Sequence, residues 1–139
     1  WTRCCIVNLL RPSLASLAHL LTREKVSSKM NEELIPILRT KDAHDSAKWY
    51  RRLGFEIEGE HQFEPDLPSY LFLARGTSRL HSSEHEGDAK PGTLLYFYVQ
   101  DVGSIAMEFA AEVIEQPWAR EVHLTDPDGN RLRIGECKA

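Results

Sequence analysis

The chain has 139 residues, 42% of them hydrophobic and 27% charged, with a formal net charge of −4. That composition is ordinary for a globular protein, and the length suits one domain or two small modules sharing a core. No apolar run approaches the roughly 20 residues of a membrane-spanning helix, and the acidic balance argues against nucleic acid, whose binders carry a basic footprint.

The charge is uneven. Residues 1–30 carry a net +4 and residues 31–139 a net −8. The chain begins at Trp1, and Met30 is its first methionine, so the basic leader is expected to be upstream sequence, an accessory helix or a targeting segment. Leu10, Leu14, Leu17 and Leu21 fall at helical spacing, which predicts an amphipathic helix over residues 12–25. Cys4 and Cys5 are adjacent and Cys137 stands alone near the other end. They give no disulfide framework, and a reducing cytoplasm is the expected location.

From residue 33 the elements follow in order. Leu34–Leu38 reads as a short strand, placed at an edge by Pro36, which has no N–H for a ladder. Asp42 caps a helix from Ala43 to Leu53, with Ala43, Ala47, Tyr50 and Leu53 as its apolar stripe and Gly54 as its stop. Trp49 and Tyr50 are expected to pack that helix. Phe55 to Phe63 alternates, with Phe55, Ile57, Gly59, His61 and Phe63 facing one way and glutamates facing the other. Strands follow at Tyr70–Ala74 and Arg79–Ser83, around a turn at Gly76. Residues 85–92 are a linker by composition.

The order then begins again. Leu94–Val99 is a nearly continuous apolar strand, expected to be covered on both faces. Asp101 caps a second helix with Ile105, Phe109 and Val113 on one side. A loop carrying Trp118 leads into a terminal hairpin, whose Asp126-Pro-Asp-Gly-Asn130 supplies the turn.

Arg39-x-x-Asp42, Trp49-Tyr50-x-x-Leu53-Gly54-Phe55, Phe63-Glu64-Pro65, Leu80-His81-x-Ser83-Glu84-His85, Gln116-Pro117-Trp118 and Asp126-Pro-x-Gly129-Asn130 occur jointly and in order. Over about residues 33–136 the chain thereby resembles the bleomycin-resistance-like branch of the glyoxalase/bleomycin-resistance/dioxygenase superfamily. The resemblance implies an α+β fold of two βαβββ modules, about 33–85 and 93–136, the second shortened. It further implies curved mixed sheets forming a concave cleft, usually completed in a homodimer.

Enzymes of that superfamily hold a divalent ion at four strand positions. Carried over by the flanking motifs, these are Ile35, His81, Leu94 and Arg133. Ile35 and Leu94 have no donor, and Arg133 brings a fixed positive charge. A catalytic site needs about three protein ligands, so neither metal nor other cofactor is expected. His81-Ser-Ser-Glu84-His85 spells a zinc-peptidase order, but on a strand its two histidines stand roughly 13 Å apart. Asp126-x-Asp128-x-Asn130 lacks the glycine and glutamate of a calcium loop. Ser82 and Ser83 lack the setting of a nucleophile.

Strand alternation around the four family positions places Arg79, His81, Ser83, Leu94, Tyr96, Tyr98 and Arg133 along the cleft. With Trp118, Phe63 and Tyr70 they make an aromatic pocket with few polar anchors. Glu56, Glu58 and Glu60 are candidate sources of an acidic field, against which a solvated sheet face weighs equally. Glu84 and His85 read as a solvated strand end. The expected function is metal-free capture of a planar, partly cationic small molecule such as a bleomycin-type antibiotic, with no catalytic residue. The alternatives are a divalent-metal lyase or dioxygenase, and an interaction module that has lost binding.

Overall fold

The computed structural model describes residues 31–139; the helix expected over 12–25 lies outside them. Contacts divide the chain into residues 1–34 and a unit Ile35–Ala139, and the fold of the second unit follows.

Its first half runs β1 (Ile37–Arg39), α1 (Ala43–Arg52), β2 (Glu56–His61), β3 (Tyr70–Arg75) and β4 (Ser78–Ser83). Its second half runs β5 (Leu94–Tyr98), α2 (Val102–Phe109), β6 (Ile114–Glu115), β7 (Ala119–Thr125) and β8 (Arg131–Cys137). Each half makes one four-stranded sheet, in the orders β1-β4-β3-β2 and β5-β8-β7-β6. The first strand of each half pairs parallel with the last, and the other pairings are antiparallel. This is the expected pair of βαβββ modules with mixed sheets. The shortening falls on β6, which has two residues where β2 has six.

The helices begin by the same chemistry. Asp42 accepts a hydrogen bond from Asp45 N–H at 3.0 Å, and Asp101 accepts from Ser104 N–H at 3.1 Å. A glutamate just after or within the last strand of each half adds a second cap. Glu84 accepts from Ala43 N–H at 2.8 Å, and Glu136 accepts from Val102 N–H at 2.9 Å. The other oxygen of Glu84 accepts from Ser69 N–H at 2.8 Å, and Arg39 donates to its carbonyl. Glu84 is therefore a staple across three segments rather than a solvated strand end.

One side of each sheet packs on the helices. Leu38, Leu71, Leu73 and Leu80 join Ala43, Ala47, Tyr50 and Leu53 in a core that also holds Val122, Leu132 and Ile134. Trp49 meets Phe109 at 5.2 Å between ring centroids, and Phe55 meets Phe97 at 5.6 Å. The stripe expected on α1 is the buried one, and Gly54 (φ +84) closes the helix.

Several expectations are corrected. β1 starts at Ile37 rather than Leu34, because Pro36 accepts from His81 N–H at 2.9 Å but has no N–H of its own to extend the ladder; the strand does lie at a sheet edge. The alternation of Phe55–Phe63 breaks where the register shifts between Ile57 and Gly59. Phe55 and Ile57 therefore share the helix side with Leu73, while Gly59 and His61 face the other way beside Phe72 and Tyr70. α2 ends at Phe109, since Ala110 turns left-handed (φ +49), so Val113 lies past the helix. β5 is covered on one face only: Leu94, Tyr96 and Tyr98 are exposed, while Leu95 and Phe97 pack on the core. Cys137 is disulfide-bonded rather than alone. Among the described residues no helix is long and apolar enough to cross a membrane.

The halves are tied at the β7–β8 turn. Asp126, 5% exposed, accepts from Tyr50 Oη (2.8 Å), Asn130 Nδ2 (2.9 Å), Asn130 N (2.9 Å) and Asp128 N (2.9 Å). Asn130 donates to Arg39 O at 3.0 Å, and Asp128 accepts from Thr40 Oγ1 at 2.7 Å and Lys41 N at 2.9 Å. Burial, then the Asp126 charge, pushes the Tyr50 phenol well above its ordinary pKa. Tyr50→Phe should cost about 1–2 kcal/mol in urea unfolding, by removing one buried hydrogen bond. Asp126→Ala should cost more, about 2–4 kcal/mol, because it strands the Tyr50 and Asn130 donors in the core.

Candidate functional site

Ladder register maps the side of the second sheet away from the helices. β5, β8 and β7 align Leu94, Arg131 and Thr125 in one row and Tyr96, Arg133 and His123 in the next. Tyr98, Gly135 and Glu121 make a third. Side chains two apart on a strand share a face, so these rows form a single surface.

Glu121 organises it. Although only 2% exposed, its carboxylate has no backbone partner and is held by three side chains. Tyr96 Oη donates to Oε1 at 2.7 Å, Trp118 Nε1 donates to the same oxygen at 3.0 Å, and His123 Nε2 lies 2.9 Å from Oε2. Burial pushes the Glu121 carboxyl up, but the hydrogen bonds from His123, Tyr96 and Trp118 outweigh it and leave the pKa below the ordinary carboxylate range. Burial and the bond to Glu121 raise the Tyr96 phenol. One buried anion thus fixes two aromatic rings at the surface, with Tyr98 tilted at 51° against Tyr96, 4.7 Å between centroids.

Gly135 makes this possible. A Cβ built there would stand 2.4 Å from Tyr96 Oη and 3.0 Å from Cζ, so the phenol crosses β8 where any other residue would block it.

The expected site residues fall into two groups. Tyr96, Tyr98 and Arg133 belong to the second sheet, and Trp118 immediately precedes its β7. On the first, Tyr70 Oη lies 2.8 Å from His81 Nδ1, and both rings pack against Phe72. Burial, then the Asp88 charge, raises the Tyr70 phenol. Phe63 lies beyond β2, 70% exposed, edge-on to His61. The glutamates of β2 are not an open acidic field. Glu56 pairs with Arg51 (3.4 Å), Glu58 with Arg79 (3.1 Å) and Glu60 with His44 (3.0 Å).

Of the four family metal positions, His81 has an imidazole already bonded to Tyr70, and Arg133 is exposed on β8. Among the described residues no three His, Cys, Asp or Glu side chains gather where an ion could be held.

Sequence reasoning missed Glu121, His123 and Gly135. The signal was present: alternation along Ala119–Thr125 puts Glu121 and His123 on one face, and an interior strand glycine marks a close approach.

The family described as glyoxalase superfamily protein matches residues 22–139. No curated protein sequence matches the chain significantly. Among solved structures, a bleomycin-binding protein complexed with bleomycin aligns at TM-score 0.57 and 19% identity, covering 78% of this chain and 100% of that one. The bleomycin resistance determinant encoded on transposon Tn5 aligns at TM-score 0.58 and 20% identity, with coverage of 78% and 100%. TnmS3, an antibiotic binding protein from Streptomyces sp. CB03234, aligns at TM-score 0.64 and 14% identity, with coverage of 78% and 98%. At such identities the likeness is one of fold.

Two outcomes test the geometry. In Gly135→Ala the freed Tyr96 phenol should titrate nearer its ordinary value of about 10 in an alkaline ultraviolet titration. Glu121 has a depressed pKa, so its contribution to stability is present above the unfolded carboxyl value of about 4.3 and fades as pH falls through the lower folded value. The stability gap between wild type and Glu121→Gln should therefore narrow below about pH 4 in urea unfolding.

Proposed function

Within the glyoxalase superfamily, to which the chain belongs, we propose a binding role without chemistry: capture of a planar aromatic small molecule on the open face of the second sheet. The observation that carries this reading is the Glu121 carboxylate holding Tyr96 and Trp118 in fixed orientation at that face. Rings ordered before a ligand arrives lose little freedom on binding, which favours affinity.

The donor chemistry points the same way. At the four family metal positions Ile35 and Leu94 carry no donor atom and Arg133 carries a positive charge. Lewis-acid chemistry needs an ion bound by about three protein ligands. The chain's own residues bind and orient: Trp118 and Tyr96 stack the ring system, and Arg133 and His123 offer polar contacts beside it.

A bleomycin-type compound is the first candidate ligand. It is supported by the shared fold with bleomycin-binding proteins and by the net charge of −4, not by the glutamates of β2, which are paired. The exposed row Leu94, Tyr96 and Tyr98 supports a second copy of the chain completing the cleft.

Calorimetry with bleomycin, free and metal-loaded, tests the reading. We expect saturable binding without turnover, weakened about tenfold by Trp118→Ala through loss of stacking and buried area. Absence of binding at micromolar concentration would remove the bleomycin-type ligand. Stoichiometric tight uptake of nickel, zinc or iron would favour the lyase or dioxygenase reading instead.

A further inference from the structure

We propose that Arg131 and Arg133 form an anion-binding subsite beside the aromatic rings, so that the ligand carries a carboxylate, sulfonate or phosphate on its aromatic body. The inference rests on the capture reading above and names the chemistry of what is captured: an anionic aromatic compound in place of the cationic bleomycin type.

Every other arginine among the described residues is engaged. Arg39 donates to the Glu84 carbonyl and Arg75 to Leu53 O. Arg51, Arg52 and Arg79 pair with Glu56, Glu108 and Glu58, and Arg120 lies within reach of Glu115 and Glu136. Arg131 and Arg133 have no such bond, although acidic residues outnumber basic ones in the chain, 21 to 17. They stand two apart on β8 and so project from the same face.

That face has a depression there. Arg131 and Arg133 line a pocket of about 160 Å³ together with Leu94, His123 and Thr125. Across the ladder Arg131 faces the Thr125 hydroxyl, and Arg133 faces the His123 imidazole. Water occupies roughly 30 Å³ per molecule in the liquid, so the space is about that of five waters and admits a small anionic group. Guanidinium forks match the paired oxygens of carboxylate, sulfonate and phosphate.

The neighbouring acids do not compete. Glu121 lies one row further along, with both oxygens bonded to Tyr96, Trp118 and His123. Asp126 and Asp128, at the turn, are bonded inward to Tyr50, Asn130, Thr40 and the Lys41 amide. Two like charges thus share one pocket without a counter-ion from the protein, and a bound anion relieves their repulsion. Tyr96, aligned directly with Arg133 on β5, places the aromatic body next to the anion.

Two fluorescent probes test this: 1-anilinonaphthalene-8-sulfonate and N-phenyl-1-naphthylamine, which has the same ring system without the sulfonate. The wild type should bind the sulfonate about tenfold more tightly than the neutral probe, and the preference should shrink as salt rises. Arg131→Gln/Arg133→Gln should abolish the preference, bringing the affinity for the sulfonate down to that for the neutral probe. An unchanged preference in that variant, or none in the wild type, overturns the subsite.

If neither probe binds the wild type, the capture reading fails, and inorganic phosphate decides the arginines separately. Phosphate-dependent shifts of the Arg131 and Thr125 amide resonances, lost in the double variant, would support the subsite. Resonances that do not move would remove it.

Discussion

The carboxylate of Asp126 is the constraint on which the arrangement depends. It closes the β7–β8 turn from inside and takes the Tyr50 hydroxyl from α1. Thr40, Lys41 and Arg39 meet the same turn through Asp128 and Asn130. A hairpin formed late in the chain is thereby anchored on the first helix and the loop before it. Since β8 carries Arg131, Arg133 and Gly135, the position of the candidate site is set by a contact made on the opposite side of the sheet. A buried anion with four donors has few alternative arrangements, and that gives the hairpin one register.

The two halves repeat more than an order of elements. Aspartates cap both helices, and glutamates from the ends of β4 and β8 reach the first helical amide of each. The matched registers pair Ile37 with His81 and Tyr96 with Arg133. By that correspondence His81 and Arg133 occupy equivalent places, as do Phe72 and His123. The first sheet presents an aromatic and imidazole surface, and the second presents an aromatic and cationic one around a buried acid.

Much of the fold was legible. The stripe of α1, both aspartate caps, the edge strand marked by Pro36 and the terminal turn followed from local chemistry, because each depends on residues within one or two turns of chain. The failures share a different cause. The bulge at Ile57/Gly59 is set by pairing with β3, and the exposure of Tyr96 and Tyr98 is set by what else packs on the sheet. Neither is written in the strand itself. The role of Glu84 was missed because its partners, Ala43 and Ser69, lie 41 and 15 residues away. Within the site, Trp118, Tyr96, Tyr98 and Arg133 were named from alternation and resemblance. Glu121, which holds two of them, looked like one charged surface residue among 21 acids.

Gly135 gives the two halves different capabilities. Its counterpart in the first sheet is Ser83, since Thr40 N–H and Val99 N–H donate to the carbonyls of these two residues in the same way. A side chain already stands at that point in the first half, so no phenol can lie flat over the end of β4. Handedness, strand order and helix caps are common property, yet a missing methylene alcohol lets an aromatic ring lie across one sheet and denies the same to the other.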